Sequence, residues 1–205
     1  MAAHPPEKRR RRKSGQLSFG SIASAGAIFI SGISLGVAIY QGRIMERLAA
    51  ANAMPYVTVE SSNYLPDRAN KAAINVSLRN VGVGPASVKS LQVYRNGQAV
   101  RSADDLFTAC CGQATAQNAS TIIRNQDLDR FIPAGERSLL FEFAQTAANR
   151  EVWSKFDRVR TELSYDVCYC SVFDDCYRLR TGRGVRMLRT RLRQCPMTEQ
   201  PQFVP

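Results

Sequence analysis

Hydrophobic and polar positions along this chain change character sharply at Pro55. From Leu17 to Tyr40, LSFGSIASAGAIFISGISLGVAIY, apolar and small residues run for twenty-four positions without a charge or a proline. A helix of that length rises about 36 Å, enough to cross a hydrocarbon core of about 30 Å with some tilt. A soluble helix this long would carry a polar stripe, and here the only polar groups are serines, whose hydroxyls can bond back to the preceding turn. The stretch predicts one transmembrane helix over 17–40. Gln41 to Met54 is rich in helix formers and continues it as a stalk over 41–54, until Pro55 stops it.

Period two takes over after Pro55. Tyr56 to Glu60 is β-rich, and Ala72 to Asn80 alternates, with Ile74, Val76 and Leu78 on one face and Asn75, Ser77 and Arg79 on the other. This is the pattern of a half-buried antiparallel strand. Val88 to Tyr94 forms the next strand, and Asn96-Gly97 suits a type I′ hairpin turn, which needs positive φ at both central residues. Ser102 to Phe107 reads as an N-capped helical turn. Strands follow at Thr121–Arg124, Ser138–Phe143 and Thr161–Ser171, with a short helix over Asn149–Val159, and Val172 to Asp175 turns the chain into Cys176–Arg180. The fold class expected is mainly β: an antiparallel sandwich over 55–181 after one transmembrane helix, then an arginine-rich segment over 182–205.

Between the first strands stands Asn80-Val81-Gly82-Val83-Gly84-Pro85-Ala86. This strand, N-x-G-x-G-P-A, strand arrangement resembles immunoglobulin-like sandwiches of bacterial envelope proteins with one N-terminal span. The resemblance covers residues 56–98, concerns backbone geometry, and implies a fold but no activity.

Charge sets the topology. Lys8, Arg9, Arg10, Arg11, Arg12 and Lys13 face a single Glu7 ahead of the apolar stretch. Basic residues flanking a span stay cytoplasmic, so the N-terminus (1–16) is placed inside and residues 41–205 outside, in the periplasm or extracellular space. Ala51-Asn52-Ala53 has the form of a signal-peptidase site, but the apolar region is too long and Arg43, Glu46 and Arg47 intervene. Alone, KRRRRK would also suit a nuclear-localisation or nucleic-acid patch; beside a span, topology accounts for it. Residues 41–175 hold fifteen basic and fifteen acidic side chains, so the net +11 belongs to the two ends.

Within the span, Gly20, Ser24, Ala27, Ser31, Ser34 and Ala38 recur at spacings of four and three and form a narrow small-residue face, suited to packing another helix in lipid, whether a membrane-protein partner or a second copy. The inventory for catalysis is thin. The only histidine, His4, lies in the basic tail, which leaves the outer region without Ser-His-Asp or Cys-His constellations or histidine metal ligands. Asp104-Asp105 and Asp174-Asp175 fall in cap and turn contexts, and no phosphate-binding glycine loop is present. No enzymatic activity and no cofactor are expected.

Six cysteines follow the span: Cys110, Cys111, Cys168, Cys170, Cys176 and Cys195. Outside the cytoplasm these are disulfide candidates, with fifteen possible pairings in all. If the strands around Cys170 and Cys176 form one hairpin, those two residues are directly opposed and bridged, and Cys168 pairs with Cys195 or with one of Cys110 and Cys111. A zinc site is the runner-up, disfavoured by spacing that is not C-x-x-C twice. Thiol-disulfide chemistry of the thioredoxin kind is disfavoured because Cys168-Tyr169-Cys170 lies in a strand and does not open a helix.

The last basic run, Arg178, Arg180, Arg183, Arg186, Arg189, Arg191 and Arg193, is either a charged sheet edge that resists aggregation or a surface for an anionic lipid head group, cell-wall polymer or acidic protein. Leu188, Thr190 and Leu192 alternate with arginines, so that face is expected to pack. Nucleic acid is not an expected partner, since aromatics do not interleave the arginines. Asn75-Val76-Ser77 and Asn118-Ala119-Ser120 are formal glycosylation sequons. The function expected is a single-span envelope component that scaffolds or binds another membrane or envelope protein. The alternatives are an anionic-ligand module and a thiol-disulfide oxidoreductase.

Overall fold

The computed structural model describes residues 19–64, 72–112, 122–124, 131–197 and 202–204. The basic run at 8–13, His4 and the sequon at Asn118 lie outside the described residues. By contacts the chain divides into two units, Met1–Leu48 and Ala49–Pro205. The first is dominated by α1 (Phe19–Asn52), a single helix of 34 residues. It is long and apolar enough to span a membrane, with a mean hydropathy of 2.0 over its best window. Its large apolar side chains, among them Ile28, Phe29, Ile33 and Leu35, are exposed. The Ser24 and Ser31 hydroxyls donate to the carbonyls of Gly20 and Ala27, four residues back, at 2.9 and 2.7 Å. Serine inside an apolar helix therefore presents no unsatisfied hydroxyl there.

The second unit is mainly β, in two antiparallel sheets. One is built from β1 (Val57–Tyr64), β2 (Ala72–Asn80), β5 (Ile122–Arg124) and β7 (Arg137–Ala144), in the order β1-β2-β7-β5. The other contains β3 (Ala86–Arg95), β4 (Gln98–Val100), β8 (Leu163–Cys170), β9 (Cys176–Gly182) and β10 (Val185–Leu192), in the order β10-β9-β8-β3-β4, with β6 (Phe131–Ile132) also on β3. The β3–β4 turn has positive φ at both Asn96 and Gly97, as its sequence requires. Val57, Ile74, Val76 and Leu78 of one sheet and Val88, Leu91, Val167 and Leu179 of the other join a single buried core.

Two helices close this core. α2 (Ala103–Cys111) is capped by Ser102, whose hydroxyl accepts from Asp105 N at 3.0 Å, and α3 (Arg150–Arg160) follows Asn149. Phe107 and Phe156 stack at 4.1 Å and meet Phe141 and Phe143 of β7 edge-on.

Strand β2 departs from the half-buried pattern. Asn75 and Ser77 are buried as well as their apolar neighbours. The strand is central, between β1 and β7, and Asn75 Nδ2 donates to Ser62 Oγ at 2.9 Å. Alternation records side-chain chemistry and does not register what covers the polar face. The sequon asparagine is thus held inside the protein.

The N-x-G-x-G-P-A connection has a definite role. Asn80 is fully buried, and its Oδ1 accepts from Tyr56 N and Gly82 N at 3.1 and 3.0 Å. Its Nδ2 donates to the carbonyls of Gly84 and Ile132 at 2.8 and 2.9 Å, so all its hydrogen-bonding capacity is used. The loop backbone reaches the chain entering the sheet: Val81 N donates to Tyr56 O, and Val83 N to Met54 O. A Cβ on Gly82 would overlap Tyr56 N, and one on Gly84 would overlap the Ala53 carbonyl. Close backbone approach explains these glycines; neither has positive φ.

Strand pairing continues past residue 182. β10 pairs with β9 from Val185 to Leu192, and Phe203 is fully buried. Between β6, which pairs Ala86 and Ser87, and β4, which pairs from Val93, strand β3 leaves a gap where Leu91 O accepts Phe203 N at 2.9 Å. A lone phenylalanine near a polar, proline-flanked end gives no periodic signal, so its burial was not legible.

Candidate functional site

Pairing along β8, β9 and β10 sorts the arginines by face. Asp166 opposes Arg180 and Cys168 opposes Arg178, while Leu188, Thr190 and Leu192 stand opposite Arg180, Arg178 and Cys176. Asp166 receives Arg178 Nε and Nη2 at 2.8 and 2.6 Å and Arg180 Nε at 3.0 Å. Hydrogen bonding to this carboxylate raises the Arg178 pKa further above its ordinary value. Arg183 pairs with Glu162 at 3.4 Å, and Arg191 pairs with Asp175.

Arg189 turns to the opposite face. Its guanidinium lies 4.0 Å from the Tyr177 ring centroid and 4.7 Å from that of Tyr56, and its Nη2 donates to Pro55 O at 3.0 Å. It acts as a cationic plug between aromatic rings. Beside it Tyr169 packs against Tyr177 at 5.8 Å, and burial pushes the Tyr169 hydroxyl above its usual range.

Five of the seven arginines thus have partners in the protein, and Arg186 and Arg193 form no ion pair among the described residues. The expected packing of Leu188, Thr190 and Leu192 is not found: Leu188 and Thr190 are exposed and Leu192 is half-buried, because β10 is the last strand of its sheet. A register irregularity between Val185 and Leu188 accompanies the charges. Arginines and a bulge on an edge strand are the features that prevent further strand pairing.

Four of the six cysteines gather where β8 meets β9. Cys170 opposes Cys176 with Cα atoms 4.0 Å apart, and Cys168 and Cys195 lie at 5.8 Å; both pairs stand at disulfide distance. Ser171 fixes the turn between them: its hydroxyl accepts from Phe173 N and Asp175 N, and its N–H donates to Asp175 O. Cys110 and Cys111 are neighbours at the end of α2 with touching sulfurs, and their Cα separation of 3.8 Å is that of any trans peptide. Cys170 Sγ is also 3.7 Å from Cys195 Sγ, so the two bridges touch. Beside them opens a cavity of about 590 Å³ lined by Lys89, Asp174, Arg193 and three of these cysteines.

The same end of the sheets carries apolar loop tips that the turn signals did not mark. Val81, Val83, Phe131, Val172 and Phe173 are 50–68 % exposed. They share one end because Ser87, just after the glycine loop, pairs with Phe131 on one side and with Cys170 on the other. A signal was available: N-V-G-V-G and S-V-F-D-D place large apolar residues in turns that polar residues usually fill. The small-residue face of α1, from Gly20 through Ala27 and Ser34 to Ala38, is exposed throughout. The chain matches no protein family, no curated protein and no solved structure.

Proposed function

We propose that this is a single-span envelope membrane protein, cytoplasmic at its N-terminus, whose extracytoplasmic domain binds another membrane or envelope protein without catalysing a reaction. The observation that carries this reading is the set of exposed apolar tips, Val81, Val83, Phe131, Val172 and Phe173, gathered at one end of a well-packed domain. Contiguous apolar surface rimmed by polar groups is characteristic of protein interaction sites. Strand order supports an immunoglobulin-like reading of the domain: β1-β2-β7-β5 can be labelled A-B-E-D and β9-β8-β3 G-F-C, with β4 as C′, β10 beyond G and β6 as an extra pairing on β3. In such domains end loops commonly carry recognition. The extensive internal pairing of the arginines weighs against an anionic ligand as the main occupant, and the packing face of α1 offers a second contact within lipid.

Co-purification of the full chain from mild detergent tests this. A stoichiometric protein partner is expected with the native chain, and Val83→Asp together with Phe173→Asp should remove it while leaving the melting temperature unchanged, since both side chains are exposed. Retention of the partner by that variant, or its loss only with Arg186→Glu and Arg193→Glu alongside binding to anionic vesicles, would favour the anionic-ligand module instead.

A further inference from the structure

The Cys168–Cys195 and Cys170–Cys176 pairs are more than two independent staples. The sulfurs of Cys170, Cys176 and Cys195 all lie within 4.8 Å of one another. Cys170 Sγ is in van der Waals contact with Cys195 Sγ at 3.7 Å. Disulfides exchange when a thiolate attacks a bridge sulfur and expels the other. A thiolate released at Cys170 would be generated already touching the sulfur it would attack.

Cys170 and Cys176 are buried and Cys195 is half-buried, and the cavity is the opening that all three border. Lys89 and Arg193 line it too, against one carboxylate from Asp174. Cations beside a sulfur favour the thiolate form and attract anionic thiols. Lys89 and Arg193 take part in no ion pair among the described residues.

We propose that this cavity is an exchange and modification site for low-molecular-weight anionic thiols. The incoming thiolate attacks Cys176 Sγ, forming a mixed disulfide there and breaking the Cys170–Cys176 bond. The Cys170 thiolate then attacks Cys195 Sγ, forming Cys170–Cys195 and expelling Cys168 as a thiolate, which takes up the proton that the incoming thiol gave to solvent. Two disulfides and one thiol enter and two disulfides and one thiol leave, so no oxidant or reductant is consumed. The exchange moves the tether of the C-terminal segment from Cys168 to Cys170, two residues along β8, where both side chains share a face.

Glutathione serves as the probe. The oxidised full chain in mild detergent is incubated with it, quenched with acid, alkylated and mapped by peptide mass spectrometry. The expected product carries glutathione on Cys176, a Cys170–Cys195 linkage and an alkylated Cys168. Glutathione on Cys110 or Cys111 alone, or on Cys176 with Cys170 alkylated and Cys168–Cys195 intact, would overturn the proposal. Lys89→Gln with Arg193→Gln should slow the addition at Cys176 several-fold; an unchanged rate would remove the cations from the site. In Cys176→Ser, without added thiol, the map should contain both Cys168–Cys195 and Cys170–Cys195 forms. A single Cys168–Cys195 form with Cys170 always alkylated would also overturn it.

Discussion

Replacing Asn80 with alanine is expected to destabilise the folded domain by about 3 to 5 kcal/mol, in the range that marks loss of a buried polar network. The side chain satisfies two backbone N–H groups, of Tyr56 and Gly82, and two carbonyls, of Gly84 and Ile132. Each buried group left without a partner costs about 1 to 3 kcal/mol, and the glycine loop packs too closely on residues 53–56 to rearrange freely. Aspartate should not rescue it, because a carboxylate oxygen would then face two carbonyls. Near-UV circular dichroism of the full chain during thermal unfolding in detergent checks both variants. A loss below about 1 kcal/mol would mean that water replaces the amide.

Removing the Cys168–Cys195 bridge with Cys195→Ser is the second large effect. The bridge spans 27 residues of sequence, for which the chain-entropy estimate is about 3.5 kcal/mol. It also holds the segment that delivers Phe203 to the gap in β3. The variant should lose about 3 to 4 kcal/mol, read from thermal unfolding of the full chain in detergent. Cys176→Ala opens a bridge of sequence separation 6 and should lose only about 2 kcal/mol. Equal losses from the two substitutions would show that the longer bridge does not organise the C-terminal segment.

Much of this architecture was legible in residue order. The charge-free run from Leu17 marked α1, the strand alternation marked β2 and β3, and Asn96-Gly97 marked its hairpin, because each is a local pattern with a local cause. The opposition of Cys170 and Cys176 could be counted across a short turn. Asn80 and its glycines were visible as a motif, but their function depends on residues 53–56 and Ile132, which no local rule brings together. Arg189 looked like any other arginine of a basic run until the register turned it toward Tyr56 and Tyr177. Ion pairs such as Arg178–Asp166 join residues twelve apart on neighbouring strands, and charge counting alone does not tell a paired guanidinium from one open to a ligand. The apolar loop tips are hard to read from sequence for a different reason: glycines and aspartates carry the local turn signature, and the valines and phenylalanines among them add nothing to it.

The most direct test of the account is the location of the domain, since partner binding, disulfides and thiol exchange all require it to lie outside the cytoplasm. A reporter protein that matures only in the cytoplasm is fused either before Met1 or after Pro205. The account predicts activity from the N-terminal fusion and none from the C-terminal one, with the difference weakened or inverted when Lys8 to Lys13 are replaced by neutral residues. Activity from the fusion after Pro205, with none from the fusion before Met1, would contradict it.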